Sequence, residues 1–203
     1  MVEGQLRDRE ISDTRVLAAM GRVPREVFLP PEWHGRAYDD AALPIGEGQT
    51  MSQPYMVARI CEELALTGRE HVLDVGTGSG YQAAVLAELV ERVETIERIP
   101  ALAERARSSL REAGYDRVRV HVGDGTLGLP EEAPFDAIAV AAAASGIPPQ
   151  LYEQLKPRGR LVIPIGKRRV QRLQVVVRSP EGPAVLRTVP CRFVPLVGEG
   201  GFG

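Results

Sequence analysis

Short apolar runs alternate with stretches of helical periodicity through the middle of the chain. Five of these runs predict strands, at residues 71–75, 92–97, 118–122, 135–140 and 160–165. The stretches between them predict helices at residues 81–89, 101–113 and 149–155. Alternating strands and helices are typical of βαβ units. We therefore predict an α/β fold, with a doubly wound, mostly parallel sheet that carries helices on both faces.

The N-terminal third predicts two helices separated by a loop. Ser12 and Asp13 can cap the first helix, whose apolar residues follow at helical spacing. Residues 39–48 are rich in proline and glycine and are typical of a loop. Ser52, followed closely by Pro54, marks the start of the second helix.

The C-terminal part predicts an antiparallel hairpin at the sheet edge. Residues 173–178 and 185–189 are strand-like, and Glu181-Gly182-Pro183 forms the loop between them. The glycine-rich tail is expected to be flexible or to face a ligand. We predict a single domain built from an N-terminal helical and substrate segment (1–65), a core (70–166) and C-terminal strands with a tail (170–203).

Composition narrows the class of protein. The chain has 203 residues, of which 44% are hydrophobic and 26% charged, with a net charge of −2. These values fit one globular domain and argue against a protein that coats nucleic acid. No apolar run reaches the ~18 residues of a membrane helix, and the first residues contain no apolar signal segment. The two cysteines, Cys61 and Cys191, make no disulfide framework. We expect a cytoplasmic protein without a membrane partner.

A glycine-rich loop joins the first core strand to the next helix. Dinucleotide-binding loops need the spacing G-x-G-x-x-G, but Tyr81 stands where the third glycine would be. The loop also lacks the Gly-Lys-Ser/Thr of a phosphate-binding P-loop. Its pattern D-x-G-x-G-x-G resembles the S-adenosylmethionine (AdoMet) loop of class I methyltransferases. The resemblance implies that the methionine part of AdoMet is held by Asp74, Gly76, Thr77, Gly78, Ser79 and Gly80.

Further acidic residues follow the next two predicted strands. Glu97 ends the second, and a carboxylate there can accept hydrogen bonds from both ribose hydroxyls. Asp124 and Gly125 follow the third, where methyltransferases usually contact adenine. Glu97 could instead be a solvated charge, and Asp124-Gly125 a simple turn. The order of all three signals favours a cofactor site, because ligands bind at the carboxyl ends of parallel strands.

Motifs outside the glycine loop carry a more specific resemblance. They are Phe28-Leu29-Pro30, Ala37-Tyr38-Asp39-Asp40, Leu43-Pro44-Ile45-Gly46, residues 48–54 (GQTMSQP), Gly123-Asp124-Gly125, residues 154–162, Pro164-Ile165-Gly166 and Phe193-Val194-Pro195-Leu196. Together these segments resemble the protein-L-isoaspartate (D-aspartate) O-methyltransferase family over nearly the whole chain. Two positions depart from the family pattern. Met51 replaces the usual isoleucine, and Ala141 replaces a common threonine, so that a hydroxyl contact is lost there.

The resemblance implies a Rossmann-like, AdoMet-dependent repair enzyme that methylates the free carboxyl of L-isoaspartyl and D-aspartyl residues in damaged proteins. It implies an active-site role for Ser52, although this serine could also be a helix N-cap, and both roles are compatible. It places Gln49, Thr50 and Met51 at the cofactor. The substrate-binding residues that it implies are Ile45, Gly46, Ser52, Ala141 and Ala142. We expect a monomer.

The implied reaction requires no side chain to act as a general base. A substrate carboxyl, with a reference pKa near ~4, is ionised at pH 7 and needs no general base. His34, His71 and His121 stand in no recognisable triad or metal-binding spacing. We therefore expect no metal.

Two other functions remain open. Residues 156–192 carry ten basic residues, including Arg168 and Arg169, against the single acidic Glu181, as in a nucleic-acid methyltransferase. That stretch has no aromatic stacking platform, however, and Ile147-Pro148-Pro149-Gln150 does not match the motif of base amino-methylases. A non-catalytic AdoMet-binding protein would not need the segment GQTMSQP. We expect no nucleic-acid partner.

Overall fold

The computed structural model describes residues 1–167 and 170–202 of the protein, so Arg168, Arg169 and Gly203 lie outside the described residues. The α-helices are α1 (Thr14–Arg22), α2 (Pro54–Glu63), α3 (Tyr81–Leu89), α4 (Pro100–Glu112) and α5 (Pro149–Glu153). The strands are β1 (Leu43–Gly46), β2 (Gln49–Met51), β3 (His71–Val75), β4 (Arg92–Glu97), β5 (Arg119–Val122), β6 (Phe135–Val140), β7 (Leu155–Lys167), β8 (Val170–Ser179) and β9 (Gly182–Cys191). Short 3₁₀ or π-helical turns lie at Val2–Leu6, Arg7–Arg9, Arg25–Phe28, Pro31–Arg36, Gly125–Leu127 and Pro130–Glu132.

The main sheet has the predicted doubly wound arrangement. Within the described residues, seven strands pair in the order β5-β4-β3-β6-β7-β8-β9. The pairs from β5 to β7 are parallel, whereas β7–β8 and β8–β9 are antiparallel. The strand order reverses between β3 and β6, and a crevice for a ligand opens at such a switch point. The mostly parallel fold is thus confirmed.

Side chains of the central strands alternate between two apolar layers. Val72 and Ala139 belong to a buried cluster that includes residues of α1, α2 and α3. Leu73 and Ile138 belong to a second buried cluster with Leu151 of α5. Because neighbouring residues of a strand face opposite sides of the sheet, this division places helices on both faces.

The first helix begins where its capping signal predicts. The Asp13 carboxylate accepts hydrogen bonds from the backbone N–H groups of Arg15 and Val16. The apolar side of α1, from Val16 to Met20, is buried. The Glu62 carboxylate of α2 accepts hydrogen bonds from the backbone of Ser12 and Asp13, and this fixes the start of α1 against α2.

The expected loop at residues 39–48 is partly a hairpin. Strands β1 and β2 pair antiparallel, and Gly46 faces Gln49 across a two-residue turn. Glu47 and Gly48 in this turn both have positive φ, of 52° and 68°, as hairpin turns of this length require. The proline and glycine content that suggested a loop reflects the turn and the short strands.

The interpretation of Ser52 as a helix N-cap is wrong. Helix α2 starts at Pro54, its N-cap is Gln53, and no side chain makes a capping hydrogen bond. Proline at the first helical position has no N–H group to be capped and already has a helical φ. Ser52 therefore lies just outside the helix.

The C-terminal antiparallel hairpin is confirmed and is longer than predicted. Ser179 pairs with Gly182, so the turn consists of Pro180 and Glu181 rather than residues 181–183. Pro183 belongs to β9, the edge strand, where a residue without an N–H group is tolerated. Among the described residues, no helix is both long and apolar enough to cross a membrane.

Candidate functional site

A cleft opens at the carboxyl ends of β3, β4 and β6, where the strand order reverses. The loops that follow these strands are tied together by their backbones: Gly76 N–H donates to Ile96 O at 2.9 Å, and Ala141 N–H donates to Val75 O at 2.8 Å. The predicted site residues that line the cleft are Gln49, Thr50, Met51, Ser52, Gly76, Thr77, Gly78, Ser79, Glu97, Gly125, Ala141 and Ala142. The fold therefore brings together most of the residues selected from the sequence.

The glycine loop forms one wall of the cleft. Gly76, Gly78 and Gly80 all have positive φ. At Gly80, the N-cap of α3, a Cβ atom would lie 3.2 Å from Leu110 Cγ of α4, so this glycine permits close helix packing and does not line the cleft. The residues before it present their backbone to the cleft, at the start of α3.

Glu97 provides the carboxylate on the second wall. Glu97 is only 6% exposed, yet it lines the cleft. One carboxylate oxygen accepts a hydrogen bond from Gly78 N–H at 2.9 Å, and the other accepts one from Ile99 N–H at 3.0 Å. Each oxygen can accept a further hydrogen bond, so Glu97 both holds the glycine loop and remains able to bind hydroxyl groups.

Asp74 lies beneath the loop, outside the lining of the cleft. It is fully buried, and its carboxylate accepts hydrogen bonds from Gln82 Nε2 at 2.7 Å and Thr95 Oγ1 at 2.9 Å. The Thr95 hydroxyl also contacts the Thr77 hydroxyl at 2.7 Å. Burial raises the pKa of Asp74 to about 7, although these hydrogen bonds oppose the shift. The aspartate thus acts on the loop through Thr95 and Thr77.

Ser52 lies where the cleft meets a second groove. Thr50, Ser52 and Ala141 line both cavities. The groove continues between α2 and the C-terminal segment, with Tyr55 and Phe193 in its walls. Its charged lining residues are Arg9 and Arg192. A ligand in the groove can therefore reach a ligand in the cleft beside Ser52.

The segment after β6 pairs with the C-terminal segment and so closes the cleft. Ala143 N–H donates to Val194 O at 2.8 Å, and Leu196 N–H donates to Ala143 O at 2.7 Å. Val197, the first residue of the tail, lines both the cleft and the groove. That the tail is flexible or faces a ligand stays a prediction.

Asp124 does not line the cleft, although its neighbour Gly125 does. One Asp124 oxygen accepts hydrogen bonds from the backbone and hydroxyl of Thr126, at 2.9 and 2.7 Å. The other accepts one from Glu199 N–H at 2.8 Å. Burial opposes ionisation of Asp124, but these hydrogen bonds outweigh it and lower the pKa of the carboxyl. In this structure the aspartate anchors the tail.

Ile45 and Gly46, expected at the substrate, lie behind the glycine loop. The buried Ile45 side chain points at Gly78, and Gly46 faces the Arg105 guanidinium. Neither residue lines the cleft or the groove.

Several lining residues were not selected from the sequence. Ile96, Arg98 and Ile99 flank Glu97, and Tyr81 follows the glycine loop. Their position at the end of a strand, beside a carboxylate expected at the cofactor, is the signal that could have identified the first three. No such pattern marks Tyr81, which is the first residue of α3 and lines the cleft because of how the helix packs.

One group in the described part of the chain could present three metal ligands, but it lies far from the cleft. It consists of His71, Glu94 and Glu132, and His71 begins β3 at the opposite end from the glycine loop. Arg92 Nε already donates to Glu94 at 3.1 Å, and Arg92 also pairs with Glu132. These carboxylates are therefore neutralised by arginine.

Comparisons with known proteins support one family. The family model described as "Protein-L-isoaspartate(D-aspartate) O-methyltransferase (PCMT)" matches residues 1–201. A relative from Syntrophobacter fumaroxidans, protein-L-isoaspartate O-methyltransferase 1, is 52% identical over 202 residues, which cover 100% of this chain and 94% of the relative. A protein-L-isoaspartate O-methyltransferase from Roseiflexus castenholzii is 55% identical over 190 residues, covering 94% and 87%.

A solved structure is similar over nearly the full length of this chain. It is a Plasmodium falciparum protein described as a beta-aspartate methyltransferase (PCMT), in complex with S-adenosyl-L-homocysteine. The two structures have a TM-score of 0.82 and 26% sequence identity. The match covers 97% of this chain and 96% of the other.

Proposed function

Since the chain belongs to the protein-L-isoaspartate(D-aspartate) O-methyltransferase family, we propose that it transfers the methyl group of AdoMet to the free carboxyl of isoaspartyl and D-aspartyl residues in damaged proteins. The observation that carries this proposal is the meeting of two cavities at Ser52. One has the glycine loop and the carboxylate of an AdoMet site, and the other is a groove open to a peptide.

The polar and apolar groups that line the cleft match the parts of AdoMet. The backbone of Gly76 to Ser79 would hold the methionine part, and Glu97 would accept hydrogen bonds from the ribose hydroxyls. Ile96, Ile99 and Leu196 supply apolar surface beside Gly125, which suits the adenine ring. When bound, AdoMet supplies an activated methyl group on a sulfonium. The C-terminal segment from Val194 to Val197 would help to exclude water from the cleft.

Ser52 would orient the substrate carboxylate, together with Thr50 beside it. The carboxylate is ionised at pH 7 and needs no proton removed. Alignment of one carboxylate oxygen with the methyl group, and removal of water, are then the principal tasks of the site. The hydroxyl of Ser52 can donate one hydrogen bond to the acceptor. The absence of a histidine from the cleft lining within the described residues agrees with this mechanism.

The peptide would bind in the groove between α2 and the C-terminal segment. Its walls are mixed, with the aromatic rings of Tyr55 and Phe193 beside Arg9, Arg192 and Gln171. A wide groove of this kind would accept many flanking sequences. Ile45 and Gly46 would then act on the substrate only indirectly, by supporting the glycine loop.

The basic C-terminal region gives little support to a nucleic-acid substrate. Lys156 pairs with Asp136 at 2.8 Å, and Arg187 pairs with Glu63 at 3.0 Å. Arg160 and Arg178 donate to backbone carbonyl groups. These contacts divert basic side chains away from a continuous phosphate-binding track. We propose that proteins and peptides, and not nucleic acids, are the partners of this chain.

One assay distinguishes the candidate functions. Methyl transfer from radiolabelled AdoMet would be measured with an isoaspartyl peptide, with its normal aspartyl twin and with RNA. Base-labile label in the isoaspartyl peptide alone is the expected result. Label in RNA would support the nucleic-acid alternative, and AdoMet binding without any transfer would support a non-catalytic role.

A further inference from the structure

A buried arginine outside both cavities holds the backbone of Ser52. Arg25 has 0% of its surface exposed and is among the largest fully buried side chains. Its Nη2 donates to the Ser52 carbonyl oxygen at 3.1 Å, and its Nε donates to Ala37 O at 2.7 Å. The guanidinium also stacks over the Tyr81 ring, 4.5 Å from the ring centroid. Arg25 is thus packed between two residues that line the cleft, Ser52 and Tyr81.

The charge of Arg25 has no close counterion in the described part of the chain. Among the described residues, no carboxylate lies within ion-pair distance of its guanidinium, and Nη1 has no hydrogen-bond partner. The ionisable groups that face it are Tyr81, Tyr38 and, more weakly, Asp40. Asp40 is itself paired with Arg9 at 2.5 Å. Burial of an arginine without a counterion is costly, and such positions are typical of functional sites.

The proposed reaction changes the charge of the acceptor next to this arginine. The substrate carboxylate carries a negative charge, whereas the methyl ester formed from it is neutral. A fixed positive charge behind Ser52 favours binding of the carboxylate over binding of the ester, since charges interact more strongly in a partly buried site than in water. The arginine would therefore improve binding of the acceptor and permit release of the product.

We propose that Arg25 is a positioning residue that selects the anionic acceptor, by fixing the Ser52 backbone and by making the wall beside it electropositive. This inference rests on the proposed function, because it assumes that the acceptor carboxylate binds beside Ser52. It adds a residue that lies outside the lining of both cavities.

Two peptides provide a direct test. One contains isoaspartate, and the other contains isoasparagine, in which the acceptor carboxylate is a neutral carboxamide of similar shape. Binding of both would be measured by calorimetry with S-adenosyl-L-homocysteine present. The wild-type protein should bind the isoaspartyl peptide at least about tenfold more tightly, a factor that corresponds to about 1.4 kcal/mol. Equal affinities for the wild-type protein would overturn the proposal without any variant.

Variants then separate charge from structure. Arg25→Gln should remove most of the discrimination between the peptides and raise KM for the isoaspartyl peptide about tenfold, with a smaller change in kcat. Arg25→Lys should keep most of the discrimination, because it keeps the charge. The matched control is Arg107→Gln, since Arg107 also donates to a backbone carbonyl, Val120 O, but lies outside both cavities.

The outcomes remain distinct from those of the methylation assay. A folded Arg25→Gln variant with normal AdoMet affinity and wild-type discrimination would overturn the proposed role. If Arg25→Gln fails to fold, the proposal can still be overturned by equal affinities in the wild-type protein, or by loss of the discrimination in a folded Arg25→Lys variant that keeps the charge. If the wild-type protein neither binds nor methylates the isoaspartyl peptide, the proposed function itself fails.

Discussion

Individual side chains at this site perform different tasks because burial differs from one to the next. Glu97 reaches the cleft and holds two backbone N–H groups, whereas Asp74 is sealed beneath the loop. Ser52 lies at the junction of the cleft and the groove. Each role leads to a separate expectation for substitution.

Glu97→Ala should weaken AdoMet binding by about tenfold or more. The substitution removes the carboxylate proposed for the ribose and releases the N–H groups of Gly78 and Ile99, and hydrogen bonds to a charged group contribute roughly 1.5–3 kcal/mol each. Calorimetric titration with AdoMet measures the effect. The control is Glu104→Ala on the exposed side of α4. Unchanged affinity in Glu97→Ala would remove Glu97 from the cofactor site.

Ser52→Ala should lower kcat about tenfold without abolishing turnover. The serine is proposed to orient a carboxylate and not to remove a proton, so only one hydrogen bond is lost. Initial rates with an isoaspartyl peptide would be compared with those of Ser108→Ala, an exposed serine on α4. Complete loss of activity with normal AdoMet affinity would contradict the proposal, because it would show that Ser52 does more than orient the carboxylate.

Asp74 should make the protein less stable as the pH rises towards neutrality. The pKa of the buried carboxyl is raised to about 7, so the folded state keeps a proton that the unfolded state loses above pH ~4. The free energy of unfolding therefore falls as the pH rises between these values. Asp74→Asn should remove this component, which amounts to about 2 kcal/mol between pH 5 and 7. Urea unfolding of the wild-type protein and of Asp74→Asn at pH 5 and pH 7 tests this. An equal change in the free energy of unfolding between the two pH values for both proteins would contradict it.

At the scale of elements, the C-terminal tail is attached to the loop that follows β5. Glu199 N–H donates to Asp124, and Gly200 N–H donates to the Thr126 hydroxyl at 2.9 Å. The tail in turn supplies Val197 to both cavities. Its attachment therefore controls part of the lining of the site.

Gly198→Ala should detach the tail from Asp124. A Cβ atom at residue 198 would overlap the Asp124 carboxylate. We expect faster proteolysis of the C-terminal segment, which mass spectrometry of the fragments would measure. We also expect the AdoMet affinity to fall roughly three- to tenfold, because apolar contact is lost. Gly146→Ala is the matched control, because a Cβ atom there would meet no atom within 4 Å. Equal proteolysis of the two variants would refute the attachment.

At the scale of the whole molecule, the outer strand β9 is poorly suited to pairing with another chain. Pro183 and Pro190 lie in this strand and lack N–H groups. Edge strands that contain proline resist association. We therefore predict a monomer of 22.1 kDa. Size-exclusion chromatography with light scattering measures the mass, and a species of twice that mass at micromolar concentration would contradict the prediction.

The elements of the sheet were largely predictable from local pattern. Strands β3, β4 and β6 and helix α3 have the predicted bounds, because buried parallel strands read as short apolar runs between turn residues. The hairpin β1–β2 was missed, since three- and four-residue strands carry too little periodicity to outweigh proline and glycine. Ser52 is not the N-cap of α2, because Pro54 occupies the first helical position and makes Gln53 the N-cap.

The sequence by itself determined the fold class, the glycine loop and the resemblance to the family, because each strand, loop and matching motif is a pattern of residues close together in the chain. Only the tertiary structure decided which carboxylates can meet a ligand. It buried Asp74, left Glu97 at the cleft and engaged Asp124 with Glu199, 75 positions away. It also packed Arg25 behind Ser52. Such contacts join distant segments through packing, which leaves no periodic signal in the sequence.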